Sequence, residues 1–380
     1  IAPFTHDRRH PANMVDAFQS RLLRALPPVD RDLLAAFKLF VQDYVNTHFA
    51  PITKLRTFEE WIEAAPYTQV RKQELSDCYY TRCWSNWPSR RTCSQVKAFI
   101  KAESYPKEKP PRMICSRVDE FKVFAGPIFS QIESIVYQNP EFIKHVPVPE
   151  RPAVIAKLRQ AGGTYIITDY TAFESSFLPE FMDACEFVLY RRMLEIYPGI
   201  ADRLCDALGG TQRVSTRLGV KAEFRGHRMS GDMCTSLGNG FTNLMLMKFV
   251  CNQTATVATG HVEGDDGVFS IVGNVPSPAW FARLGFDIKL EVHPDPCEGS
   301  FCGIVAADGG NIKDPVKFIE NFGWIDGFVG SSPRVLAGLL RAKALSTVYE
   351  CPNCPIIAAI AHRALALTRG VHPRFIDERH

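Results

Sequence analysis

The sequence predicts an α+β protein, and three observations predict it. Helical periodicity dominates both ends of the chain, short β-prone runs occupy its middle, and one pair of such runs turns back at Gly264-Asp265-Asp266-Gly267. At 380 residues the chain exceeds the size at which one core keeps growing, so one large body with subdomains, or two to three domains, is expected. A hydrophobic fraction of 46% and a charged fraction of 22% fit an ordinary globular protein with ample core. The net charge of +3 rules out a general polycation, so a polyanionic partner must be met by local clustering.

The first hundred residues read as helices separated by prolines. Asp30 is placed to cap a helix running to about Thr47, and Thr57 and Glu60 have capping-box spacing ahead of Trp61. A polar and aromatic stretch follows from Gln69 to Trp87. Between Arg90 and Arg117, eight basic residues face only Glu103 and Glu108. Val96 to Ile100 and Met113 to Cys115 are β-prone and flank a Pro-rich turn from Tyr105 to Pro111. A charge run is usually a solvated face, but basic side chains alternating on paired strands would form a wall suited to phosphates.

Asp119 is expected to cap a helix through Tyr137. Gly162-Gly163 precedes a short apolar strand, Tyr165 to Thr168, which ends at Asp169. A helix resumes at Pro179, with Phe181, Cys185, Val188, Leu189 and Met193 on one face. Ser230 to Asn239 reads as a Gly- and Ser/Thr-rich loop, and Gly240 to Cys251 as a buried helix. Pro278 to Leu284 is expected helical, Phe286 to Val292 and Phe301 to Val305 extended, and the region after Ile312 mostly helical.

Twelve scattered cysteines point to a reducing compartment and to buried free thiols. The one close pair, Cys351 and Cys354, lacks a second pair at zinc-finger spacing, although His362 or His372 could complete a site. No apolar run reaches the length of about 18 residues that a spanning helix needs. The chain begins at Ile1 without a signal-peptide pattern, as a piece of a longer product would.

A Gly-Asp-Asp-Gly turn is by itself most often a solvated hairpin tip. Strand-end Asp169 changes its weight, because acids from neighbouring strand ends can hold two divalent ions for phosphoryl chemistry. Three ordered stretches then carry a resemblance. Thr168-Asp169-Tyr170-Thr171-Ala172-Phe173-Glu174, Ser230-Gly231-Asp232-Met233-Cys234-Thr235-Ser236-Leu237-Gly238-Asn239 and Gly264-Asp265-Asp266 resemble motifs A, B and C of viral RNA-dependent RNA polymerases, with the second closest in wording to tombusvirus-like and nodavirus-like enzymes. Lys101 to Ile114 resembles motif F, Leu284 to Lys289 motif D, and Phe301-Cys302-Gly303 motif E. Ala65-Pro66-Tyr67-Thr68 is a candidate for motif G.

The resemblance implies a right hand: fingers over 1–160 with 197–229 interleaved, a palm over 161–196 and 230–300 with a small antiparallel sheet, and a motif E hairpin with a helical thumb over 301–380. It implies Asp169, Asp265 and Asp266 as ligands of Mg²⁺, for which Mn²⁺ can substitute, and Lys289 as a proton donor to pyrophosphate or else a solvated surface group. Lys101, Lys107, Lys109, Arg112 and Arg117 would meet the NTP phosphates, with Arg112 the best placed. Ser230, Gly231, Thr235 and Asn239 would serve the ribose and the moving loop, the glycines by adopting backbone conformations closed to other residues. Phe301 and Cys302 would grip the nascent 3′ end. Most relatives carry Asp where this chain has Glu174, so sensing of the 2′-hydroxyl with Asn239 needs a slightly different geometry. Template and nascent RNA, NTPs and other viral replicase proteins are the implied partners. The implied location is the host cytoplasm at membrane-associated replication complexes, reached through those partners or other segments, and the short thumb favours primer-independent initiation. A reverse transcriptase-like enzyme and a non-catalytic RNA-binding scaffold are the competing readings.

Overall fold

The computed structural model describes residues 4–83, 87–105, 107–307, 310–325, 327–328 and 330–375. Ile1, the Trp84 to Asn86 part of the aromatic stretch, Pro106 of the Pro-rich turn and part of the expected thumb lie outside the described residues. Eight strands build two four-stranded sheets: β1 (Gln95–Ile100), β2 (Met113–Arg117), β3 (Thr164–Tyr170), β4 (Thr211–Thr216), β5 (Lys221–Arg225), β6 (Val257–Glu263), β7 (Asp266–Val272) and β8 (Ile288–His293). Helices surround both, so the architecture is mixed α and β.

The central sheet has the order β8-β3-β7-β6 and is antiparallel throughout. Its inner strands are almost continuously apolar because both faces are covered: Ile166, Ile167, Val268, Phe269 and Ile271 are all buried. The helix Thr235–Gln253 supplies much of that cover, with Leu237, Phe241, Leu244, Met245 and Phe249 in one core with Phe37 and Phe181. Gly260 lets β6 lie flat, since a Cβ there would stand 2.1 Å from the carbonyl oxygen of Val268.

The second sheet has the order β2-β1-β4-β5, with β1 parallel to β4 and the other pairs antiparallel. In β1, Val96, Ala98 and Ile100 point inward while Lys97 and Phe99 point to solvent, as strict alternation requires.

The capping expectations at the N-terminal end match the structure. Asp30 accepts from the backbone of Asp32 and Leu33 at the start of Arg31–His48, and Thr57 and Glu60 close a reciprocal box on Phe58–Ala64. Other expectations need correction. Val118 occupies the N-cap position of the Asp119–Val136 helix without a side-chain cap bond, and Asp119 is instead the first helical residue, its carboxylate held by Arg71 at 2.6 and 2.9 Å. The helix after Pro179 breaks at Cys185 into Pro179–Ala184 and Glu186–Met193. Thr235 to Asn239 belong to the long helix and not to a loop. The expected strand Phe301 to Val305 is a hairpin, Ser300–Phe301 against Ile304–Ala307, because Cys302 (φ 54°) and Gly303 (φ 74°) turn the chain in the left-handed region. The β4–β5 hairpin was not anticipated, although its alternating Gln212 and Val214 and the turn glycine Gly219 (φ 80°) mark it.

Cys351 and Cys354 are buried against Ile357 and Phe318. Among the described residues no group of three His, Cys, Asp or Glu side chains is gathered as a metal cage, there or elsewhere. Among the described residues no helix is long and apolar enough to cross a membrane.

Candidate active site

β3 and β7 are neighbours, with Thr168 opposite Gly267, so the chain reaches Asp169 one step past that pair, beside the turn that carries Asp265 and Asp266. Glu263 pairs with Asp266 across the β6–β7 turn. Carboxylates from three strands therefore share one end of the central sheet. The Asp265 carboxyl is raised above its ordinary range, first by burial and then by the charge of Glu174, against a lowering pull from Arg112. Asp266 is pushed up to about 7 by burial and by the charges of Asp265, Asp169 and Glu263.

Carboxylate oxygens are the donor type a divalent cation takes, although among the described residues these side chains are not drawn together as a metal cage. Asp169, Asp265 and Asp266 are the residues that could hold one. The turn is fixed from below by Asn243, which donates to the carbonyl oxygen of Asp265 at 3.0 Å and receives the Tyr170 hydroxyl at 3.3 Å. Gly267 permits this approach, since a Cβ there would lie 3.1 Å from Asn243 Nδ2. Sequence reasoning missed Asn243, although it stands one helical turn beyond Asn239 on the same helix face.

Beside the acids lies a cavity of about 260 Å³ lined by Lys101, Arg112, Glu174, Ser230, Arg228 and Arg21, among others. Asn239 donates to Glu174 Oε1 at 3.3 Å, so the structure brings together the two groups expected to meet a ribose. Asn239 is buried and its Oδ1 has no partner. Lys101 and Arg112 stand 3.6 and 3.7 Å from the Glu103 carboxylate, and Arg112 keeps a half-exposed side chain. Arg21, at the end of the helix Pro11–Arg21, is a further cation at the cavity; nothing in its local sequence marked it.

Other expected residues are placed differently. Arg117 is a correction: its side chain is buried, donating to Asp232 Oδ1 at 2.8 Å and to the Cys93 carbonyl at 2.7 Å, so it anchors the loop and cannot reach a phosphate. Lys107 and Lys109 are exposed and do not line the cavity; Lys109 lies over the Tyr105 ring at 4.6 Å. The Ser230 hydroxyl donates to the Met113 carbonyl and accepts from the Cys115 amide, both at 3.1 Å, and Thr235 donates to the Met229 carbonyl at 2.8 Å. These hydroxyls shape the loop. Neither Gly231 nor Gly238 has a positive φ, so close approach explains them and not backbone freedom: a Cβ would stand 3.0 Å from the Cys115 oxygen at Gly231, and 2.4 Å from the Arg228 guanidinium and the Glu186 carboxylate at Gly238.

Lys289 lies opposite Asp169 in register, yet its exposed ammonium pairs with Glu291 at 2.5 Å, and that bond raises its pKa. Phe301 is buried in the core below the hairpin, whereas Cys302 lies near the acids, with Sγ 3.8 Å from Glu263 Oε2. Arg151 holds the same Glu263 oxygen at 2.6 Å.

A buried ion pair that sequence reasoning missed supports the loop. Arg228 donates to Glu186 Oε2, lies over the Phe177 ring at 4.7 Å and reaches Cys234 Sγ at 3.1 Å, while Tyr190 donates to Glu186 at 2.8 Å.

Comparison with known proteins follows this geometry. A family model described as "Viral RNA dependent RNA polymerase" matches residues 202–298, the stretch that holds the loop, the long helix and the paired acids of the turn. The RNA-directed RNA polymerase of Striped jack nervous necrosis virus is 32% identical over 245 residues, covering 59% of this chain and 24% of that protein. The RNA-directed RNA polymerases of Atlantic halibut nervous necrosis virus and Greasy grouper nervous necrosis virus are 29% and 27% identical, with the same coverage. The chain thus spans about a quarter of the length of the curated relatives it matches. In its ordered motifs and over more than half of its length, the chain is similar to viral RNA-dependent RNA polymerases.

Proposed function

We propose that this chain carries the catalytic core of an RNA-templated RNA polymerase that copies a viral RNA genome. One observation carries the reading: Asp169 and the Asp265-Asp266 turn end adjacent strands of one sheet, and a cavity nearby is lined by Glu174, which Asn239 holds from behind, and by the cations Arg112 and Lys101. In this reading the central sheet belongs to a palm (161–196 and 230–300), the second sheet to fingers (1–160 with 197–229), and 301–380 to a hairpin and thumb.

The reaction joins the 3′-hydroxyl of the nascent strand to the α-phosphorus of an NTP and breaks the bond to pyrophosphate. Arg112 and Lys101 bind and orient the triphosphate by charge, and Arg21 extends that cationic lining. Glu174 accepts from the ribose 2′-hydroxyl while Asn239 holds Glu174 in place and offers its unpartnered Oδ1. Asn243 fixes the acidic turn against β3. Divalent metal, Mg²⁺ with Mn²⁺ as a substitute, held by Asp169, Asp265 and Asp266 would lower the pKa of the attacking hydroxyl and neutralise the charge that develops on the phosphate oxygens. Template RNA, NTPs and other replicase proteins are the partners of this reading, and location at membrane-associated replication complexes would pass through such proteins.

Extension of a defined RNA template, with and without primer, tests the proposal using either NTPs or dNTPs. Mg²⁺-dependent incorporation of the complementary NTP, with dNTPs used poorly, is expected. Preferential use of dNTPs would turn the reading to reverse transcription, and no incorporation of either would leave an RNA-binding scaffold.

A further inference from the structure

A second cavity, larger than the one that Glu174 lines, lies elsewhere in the molecule. It is an open cleft of about 1020 Å³ on the second sheet, walled by the helix Pro198–Gly209, the short helix Arg90–Cys93 and the edges of β4 and β5. Five arginines line it, Arg90, Arg91, Arg203, Arg213 and Arg225, against one acid, Asp206. Asp206 takes Arg90 at 2.7 Å, and Glu223 on β5 takes Arg213 at 3.1 Å. The side chains of Arg91, Arg203 and Arg225 are exposed and make no hydrogen bond or ion pair among the described residues. Three solvated guanidinium groups converging on one concavity repel one another, an arrangement that a polyanion relieves.

The cleft continues along the sheet. Arg213 also borders a shallower groove of about 370 Å³ that adds Lys97 and Lys221. Trp87, half-buried at the other wall, packs its ring against Phe124 with the centroids 5.2 Å apart, so charge and not stacking dominates the lining. A positively charged groove that tracks the backbone is how single-stranded nucleic acid is held without sequence preference. The track is separate from the catalytic cavity, with which it shares no lining residue. β1 begins at the cleft with Gln95 and ends at Ile100 beside Lys101, five residue steps of about 3.3 Å, or roughly 17 Å away.

We infer that this cleft is a second RNA site, which holds a single-stranded segment of RNA by its phosphates at a distance from the reacting nucleotide. The inference rests on the RNA-polymerase reading for the identity of the polyanion. A strand held at both places would stay on the enzyme when the catalytic cavity is empty between nucleotides.

The test is equilibrium binding of a fluorescently labelled, unstructured RNA oligonucleotide to the 380-residue chain, without NTP or divalent metal, over a series of salt concentrations. Each phosphate contact on single-stranded RNA contributes about −0.7 to the slope of log K against log salt. The triple substitution Arg91→Ala, Arg203→Ala, Arg225→Ala should make that slope shallower by about 2 and weaken binding roughly hundredfold at 0.1 M salt. The charge-retaining triple Arg91→Lys, Arg203→Lys, Arg225→Lys should keep the parent slope, which separates loss of charge from loss of fold. An unchanged slope in the alanine triple overturns the inference, and equal affinity of the parent for duplex RNA of the same length overturns the single-strand assignment. Should the parent bind with the steep slope yet incorporate no nucleotide, the cleft stands and the polymerase reading falls; incorporation by the parent with no slope change in the alanine triple gives the reverse.

Discussion

Two groups of charges lie within this molecule a short way apart and are treated in opposite fashion. Around the Thr235–Gln253 helix, Arg228 with Glu186 and Arg117 with Asp232 are buried and paired, and each partner is also held by neighbours. At the end of the central sheet, Asp169, Asp265, Asp266 and Glu263 are gathered with Arg151 holding only Glu263. The first group is balanced by the fold and fixes the loop and helix that face the cavity. The second is left short of positive charge, and burial together with the neighbouring carboxylates holds the Asp265 and Asp266 carboxyls above their ordinary pKa. Paired charge positions here, and unpaired charge awaits a ligand.

That contrast breaks most visibly at the paired group. Arg228→Ala leaves the Glu186 carboxylate buried without its cation and should cost about 3–5 kcal/mol, read by urea unfolding. Replacing both partners, Arg228→Met with Glu186→Leu, should recover most of that loss, because two desolvated charges disappear together. A single variant as stable as the parent would show that the pair is not structural.

Next in size is the support under the acids. Asn243→Ala removes the donor to the Asp265 carbonyl and should lower kcat by up to about 10²-fold, since small misplacement of reacting groups has effects of that order, while the KM for NTP stays near the parent value. A change confined to thermal stability would make Asn243 an ordinary core residue.

A smaller effect is expected at the sugar. Glu174→Ala should reduce the preference for NTP over dNTP by roughly tenfold, about one hydrogen bond's contribution. An unaltered preference would remove Glu174 from ribose recognition.

A dependence on pH is also expected in the metal-free chain. The Asp266 carboxyl titrates at about 7 in the folded protein against 3.8 ordinarily, so the folded state holds a proton that the unfolded chain has released. The resulting stability is complete below about pH 4 and is lost as pH rises through 7. Metal-free Tm should therefore fall between about pH 5 and pH 7.5, and Mg²⁺ should restore it at the higher pH and do little at the lower. A flat metal-free profile would remove the repulsion from the account.

What the sequence disclosed follows the range of the interactions. Asp169 and Asp265 were legible because each ends or turns a short, continuously apolar run, which shows in any local window. The Thr57 box and the Asp30 cap were legible because their partners lie within four residues. The Arg228–Glu186 and Arg117–Asp232 pairs join positions far apart in the chain, and no local pattern selects one basic residue over another; Arg117 therefore passed for a phosphate ligand. Gly238 was misread for the same reason, because what it avoids is a guanidinium and a carboxylate brought in from elsewhere. Thr235 and Ser230 carry hydroxyls that suit a ribose or a backbone carbonyl equally, and only the fold chooses.

The central claim is that the acids left without a paired cation, and not the balanced ones, serve nucleotidyl transfer. Templated NTP incorporation by Asp265→Ala, measured beside RNA binding by the same preparation, tests it most directly. The account predicts no detectable incorporation with RNA affinity and Tm close to the parent; substantial incorporation by this variant would contradict it.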